Sequence, residues 1–169
     1  MPCVVADTSP LSYLMQLGRH ELLRELYGRV HVPEQVWLET LAGAEFFPHL
    51  KPALKTAESA DWIQIHSVPE TAFLPEAAGL DSGEQAAIAL VRLLGADLLI
   101  IDELDGRMLA ARIGLKVTGT LAVLAEAKKA GLIPSLRIEF RRLREDTTFR
   151  FSRLLEQQIL ALAGEEEPP

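Results

Sequence analysis

Four acidic residues stand where chemistry is easiest to arrange: Asp7, Glu39, Glu84 and Asp102. Asp7 directly follows Cys3-Val4-Val5-Ala6, and Asp102 directly follows Leu98-Leu99-Ile100-Ile101. Both runs read as strands buried on two faces. Ligands of open α/β sheets bind in the crevice beyond the carboxyl ends of the strands. If these two strands are parallel neighbours, both carboxylates enter one crevice. Glu84 continues the apolar stripe Ala87, Ile88, Val91 at helical spacing, a position that points inward unless it lies at the helix end, as Glu84 does, where capping is the alternative. Glu39 lies one turn beyond Val36 on a helix opened by Pro33. Carboxylates gathered this closely repel one another unless a cation joins them. Hard divalent ions, Mg2+ or Mn2+, suit oxygen ligands and activate water for attack at a phosphodiester.

Each of these residues also has an ordinary role. Aspartate is common in turns and helix caps, which covers Asp7. Asp81 and Glu84 have capping-box spacing, as do Ser82 and Gln85, and Asp81 is assigned to the cap. Glu39 alone reads as a solvated surface residue. Asp105 is either a supporting group or the cap of the helix after Asp102. His20, His31, His49 and His66 show no metal-site spacing and read as strand or surface residues.

The elements that must position these side chains alternate along the chain. Strands are expected at 3–6, 30–32, 62–66, 98–101 and 116–118. Helices are expected from Ser9 and Pro10 to Gly18, at 20–27, from Pro33 to 41, at 83–94, at 104–113, from a Thr120 cap to 130, at 135–144 and at 152–163. Residues 54–59 have helical character between Pro-rich breaks, and 67–80 reads as a loop. Such alternation predicts an α/β fold, three-layered α/β/α, with a central, mainly parallel sheet. The apolar face of residues 10–28 (Leu11, Leu14, Met15, Leu17, Leu22, Leu23, Leu26) is expected to be core.

The chain has 169 residues, of which 49% are hydrophobic and 24% charged. That suits one domain, set at 1–164, followed by an acidic tail at 165–169 that is expected to be disordered. The composition excludes an intrinsically disordered chain. No apolar stretch reaches the roughly 18 residues of a spanning helix, so no membrane partner is expected. A lone cysteine, Cys3, and an N-terminus without a signal-like segment point to a reducing cytoplasm. A net charge of −7 argues against nucleic-acid binding through bulk positive charge. Locally, however, residues 137–153 hold six arginines against three acidic residues. With Arg107 and Arg112 these could follow a nucleic-acid backbone; a solvated helix face is the plainer account.

Taken in order, four segments resemble those of PIN-domain nucleases. They are Val4-Val5-Ala6-Asp7-Thr8-Ser9-Pro10-Leu11, Val32-Pro33-Glu34-Gln35-Val36-Trp37-Leu38-Glu39, Leu80-Asp81-Ser82-Gly83-Glu84-Gln85 and Leu99-Ile100-Ile101-Asp102-Glu103-Leu104-Asp105. Val117-Thr118-Gly119-Thr120-Leu121 resembles a further segment of one branch. The resemblance spans about residues 3–163 and implies a PIN fold with Mg2+- or Mn2+-dependent ribonuclease activity. It implies an acidic site of Asp7, Glu39, Glu84 and Asp102, with Asp7, Glu84 and Asp102 on the metal. Asp105 and the hydroxyl of Thr8 or Ser9 would support it. Many members have aspartate where this chain has Glu84. Many are VapC-like toxins neutralised by an antitoxin protein, and many form homodimers. Two other classes stay open: a PIN scaffold that binds RNA or protein without catalysis, and a phosphoacceptor domain. Against the latter, Asp7 is followed by Thr8 and Ser9, not by a further acidic residue.

Overall fold

The computed structural model describes residues 1–166. Five strands form one sheet: β1 (Val4–Ala6), β2 (Val30–Pro33), β3 (Ile63–His66), β4 (Leu98–Ile100) and β5 (Val117–Thr118). Their order is β3-β2-β1-β4-β5 and every pairing is parallel. The sheet expected to be mainly parallel is therefore wholly so. Val4, Val5 and Ala6 pair with Leu98, Leu99 and Ile100, which makes β1 and β4 neighbours. The chain first builds outward from β1 through β2 to β3, then returns to place β4 on the other side of β1. The seam between β1 and β4 is the topological switch point, where ligand crevices of doubly wound sheets open.

Nine helices flank the sheet among the described residues: α1 (Thr8–Gln16), α2 (Glu21–Tyr27), α3 (Glu34–Gly43), α4 (Lys51–Glu58), α5 (Ser82–Leu94), α6 (Leu104–Arg112), α7 (Thr120–Lys129), α8 (Leu136–Asp146) and α9 (Arg153–Leu162). Alternation along the strands divides the core into two layers. Val4, Ala6 and Ile100 pack with Leu11, Leu14, Leu23, Val123 and Phe140 on one face. Val5, Leu99 and Ile101 pack with Ala87, Ile88, Val91 and Leu109 on the other. The apolar face of residues 10–28 is core, with Leu11, Leu14 and Leu23 fully buried. No helix among the described residues is long and apolar enough to cross a membrane.

Two boundaries differ from the sequence expectation. Helix α1 starts at Thr8, with Asp7 in extended conformation before it, although Ser9 and Pro10 read as cap and first residue. Proline lacks an N–H, and the first four amides of a helix have no internal partner, so Pro10 fits at the third position as well as the first. Thr120 is the first residue of α7, not its cap; extended Gly119 precedes it. At the C-terminus, Glu165 is bound: its carboxylate accepts hydrogen bonds from the Leu136 and Arg137 amides at 2.6 and 3.0 Å and from Ser135 Oγ at 3.1 Å. It closes the start of α8, where a helix favours negative charge. Residues 167–169 lie outside the described residues.

Candidate active site

At the carboxyl end of the sheet lies a cleft of about 350 Å³, lined among others by Asp7, Thr8, Ser9, Glu39, Glu84 and Asp105. Six of the seven acidic and supporting residues expected from sequence therefore share one cavity. Asp102 lines a second depression beside it, with Arg107 and Gly119. The start of α6 divides the two: Glu103, Leu104 and Asp105 face the cleft, and Arg107 faces the depression.

Asp7 is fixed by the sheet itself. Its amide donates to the Ile100 carbonyl at 2.9 Å, which extends the β1–β4 ladder by one residue. Although it occupies the cap position of α1, its side chain makes no capping hydrogen bond. It is 3% exposed, and its Oδ1 is buried without a hydrogen-bond partner. Burial, with Asp81, Glu84 and Glu39 nearby, pushes the Asp7 carboxyl up to about pH 8, against the pull of the Thr8 amide. A buried polar atom left unpaired is costly, and here it faces a cavity of like charge.

The other carboxylates are held by hydrogen bonds and by glycines. The Thr8 hydroxyl donates to Glu39 Oε2 at 2.6 Å. Both Glu39 oxygens lie where a Cβ on Gly83 would be, at 2.7 and 2.9 Å from that position. Glu84 completes a reciprocal capping box: its amide donates to Asp81 Oδ1 at 2.8 Å, and the Asp81 amide donates to Glu84 Oε2 at 3.1 Å. The cap role and the cleft role of Glu84 thus coexist, because Oε1 lies 2.9 Å from the Cβ position of Gly106. Burial raises the Glu84 carboxyl, and Asp81 and Glu103 add to the effect. Asp102 accepts from the Thr120 amide at 2.8 Å and the Thr120 hydroxyl at 2.6 Å, and its Oδ1 lies 2.7 Å from the Cβ position of Gly119. Burial raises its carboxyl while Thr120 and Arg107 oppose the rise.

Three glycines, Gly83, Gly106 and Gly119, lie one beneath each of Glu39, Glu84 and Asp102, a role not expected from sequence. None has a positive φ, so backbone conformation does not require them. A glycine inside a helix costs about 0.5–1 kcal/mol relative to alanine. Gly83 and Gly106, each in the first turn of a helix beside an acidic residue, carried that signal.

Two arginines of the arginine-rich stretch are structural. Arg142 pairs with Glu139 at 3.1 Å and approaches Asp146, and Arg144 pairs with Glu156 at 2.7 Å. Arg112 is exposed and lines a shallow pocket with Asp105 and Met108. His31 Nδ1 and His66 Nε2 are 2.8 Å apart across β2 and β3, away from the cleft.

As the side chains stand, no group of three or more His, Cys, Asp or Glu residues among the described residues is arranged to hold a metal ion. What the cleft offers is an unpaired buried oxygen on Asp7, two glutamates seated over glycines, and free lone pairs on each. A carboxylate oxygen has two acceptor sites, so Asp102 also keeps capacity after Thr120 is served. No curated protein matches the chain. A family model described as a PIN domain matches residues 3–165. With a five-stranded parallel sheet and an acidic cleft at its switch point, this chain belongs to the PIN-domain family.

Proposed function

We propose that this PIN domain is a divalent-metal-dependent endoribonuclease, with Mg2+ or Mn2+ in the acidic cleft. The observation that carries the reading is Asp7: a carboxylate buried at the sheet's switch point, with Oδ1 unpaired and other carboxylates around it. A cation satisfies both the unpaired oxygen and the repulsion. The residues fit such an ion. Asp7 and Glu84 would hold it, with Asp102 and Glu39 joining directly or through water. When bound, the ion polarises a phosphoryl oxygen and makes water a better nucleophile.

The chain's own residues orient this chemistry. Thr8 directs Glu39, Asp81 directs Glu84 and Thr120 directs Asp102, each leaving lone pairs free. Hydrogen bonds of this kind fix ligand orientation and tune its basicity. Asp7 holds a proton near neutral pH in the metal-free protein. It must release that proton to ligate, so metal affinity rises with pH.

The test is cleavage of a panel of single-stranded and looped RNAs with Mg2+, Mn2+ or EDTA, beside Asp7→Asn. Cleavage that needs the ion and is lost in the variant supports the reading; cleavage in EDTA at full rate refutes it. The second reading, a binding module without catalysis, is favoured by one observation: Asp102 lines the depression next to the cleft, not the cleft itself. Binding of RNA with no cleavage in either metal selects it. A role as a VapC-like toxin, neutralised by an antitoxin in the cytoplasm and working as a homodimer, rests on the sequence resemblance alone. Growth arrest on expression, reversed by the product of an adjacent gene, would support it; sedimentation decides the dimer.

A further inference from the structure

The depression beside Asp102 measures about 390 Å³, within the range of small-ligand sites. Its walls include Arg107, Phe149, Arg150, Phe151 and Leu155. Phe149 and Phe151 are half-buried, with ring centroids 5.8 Å apart. Tyr13 meets Phe149 edge-on at 5.0 Å, and the Arg144 guanidinium lies over Phe151, 4.2 Å from its centroid. These contacts hold two rings in fixed orientation at a solvent-open wall.

Two guanidiniums flank the rings. Arg107 Nη1 donates to the Ile101 carbonyl at 2.9 Å. Arg150 Nη1 donates to the Thr147 and Phe149 carbonyls, both at 3.0 Å. Neither is in an ion pair with a carboxylate among the described residues, unlike Arg142 and Arg144 of the same stretch. A guanidinium has five N–H donors, and anchoring one leaves others for an anion. Asp102 also lines the depression, engaged by Thr120 and close to Arg107; within a chain of net charge −7 the rest of the wall adds cationic and aromatic surface beside the acidic cleft.

We propose that this depression is a nucleotide subsite: an unpaired base stacks at Phe149 and Phe151 while the adjoining phosphate meets Arg107 and Arg150. The inference deepens the nuclease reading and rests on it for the kind of polymer. A single strand passing over the start of α6 would then lie with one nucleotide in the depression and the next phosphate at the acidic cleft. Stacking needs a bare base face, so the substrate is single-stranded.

The experiment is fluorescence anisotropy with a short, labelled, mixed-sequence ribo-oligonucleotide, in EDTA and, with Mg2+, in the Asp7→Asn background. Arg150→Ala is expected to weaken binding about fivefold and to reduce the salt slope by about one. Phe149→Leu is expected to weaken binding about five- to tenfold with the salt slope unchanged. Annealing the oligonucleotide to its complement should lower affinity for the unaltered protein. Should Phe149→Leu fail to fold, Arg150→Ala and the single-strand against duplex comparison decide. Binding unchanged in both variants, equal binding of duplex, or no binding overturns the subsite. Variant-sensitive binding without cleavage keeps the subsite and removes the nuclease. Normal cleavage with variant-insensitive binding does the reverse.

Discussion

Asp7 and Glu139 are carboxylates buried to a similar depth, 3% and 1% exposed, in opposite surroundings. Glu139 Oε1 accepts from Arg19 at 2.6 Å and Oε2 from Arg142 at 3.1 Å. Arg142 also donates to the Leu17 carbonyl at 2.7 Å, so the cluster ties α8 to the end of α1. Asp7 has acidic neighbours in place of basic ones, and one oxygen with no partner. A carboxylate kept for architecture is folded together with its cations. Asp7 is folded without them, and folding carries the cost. The difference teaches where to look: a buried carboxylate left without a partner among like charges, not buried charge as such, points to the candidate site.

The comparison is broken most severely by exchanging each carboxylate for its amide. Asp7→Asn should lower RNA cleavage by about 10³-fold or more, with circular dichroism unchanged. Glu139→Gln should leave the cleft intact but destabilise the fold by about 2–4 kcal/mol, because two guanidiniums lose their counter-charge; chemical denaturation measures this. Saturating Mn2+ should raise the Tm of the unaltered protein by several degrees, since a concentration about 100-fold above Kd stabilises by about 2.7 kcal/mol. Asp7→Asn should abolish that rise, and Glu139→Gln should not.

The pH dependence sharpens the contrast further. Folded Asp7 keeps its proton up to about pH 8, whereas the unfolded carboxyl loses it near 3.8. Folding takes up a proton between those limits, so the Asp7 contribution to stability falls as pH rises through that window and levels off above it. In metal-free protein Asp7→Asn should therefore be stabilising at pH 8, by several kcal/mol, at about 1.4 kcal/mol per tenfold difference in proton affinity. The gain should fade toward pH 4, as followed by Tm across pH in EDTA. The smallest effect belongs to Gly83→Ala. It should leave stability within about 0.5–1 kcal/mol of the original or above it, because alanine favours the helix. Cleavage should still drop by about tenfold, because the new Cβ displaces the end of Glu39. Equal activity would show that the Glu39 position is immaterial.

Much of this architecture was legible from residue order. Apolar runs at 3–6 and 98–101 gave two strands whose following aspartates share a seam, and parallel pairing of β1 with β4 bears that geometry out. Helix α5 and its Asp81 cap were legible because an apolar stripe and a capping box agree. The start of α1 was not, since Pro10 is compatible with several first-turn positions. Nor was the engagement of Asp102 by Thr120, a contact between residues on different elements that no local spacing encodes. The glycines beneath the carboxylates were missed because glycine was read as a helix stop, where it is identified by φ, and not as a space. The arginine stretch could not be sorted from sequence: charge counts do not reveal which guanidiniums are in ion pairs, as Arg142 and Arg144 are, and which bond only to backbone carbonyls, as Arg150 does.

The amide of Asp7 is held by the carbonyl of Ile100, and its strand sits in the middle of the sheet. The first catalytic candidate to leave a ribosome must therefore wait for β4 before its surroundings exist. A growing or truncated chain that stops short of β4 holds Asp7, Glu39 and Glu84 yet has no seam to gather them. On the proposed reading, that connectivity delays the assembled acidic site until β4 has been made.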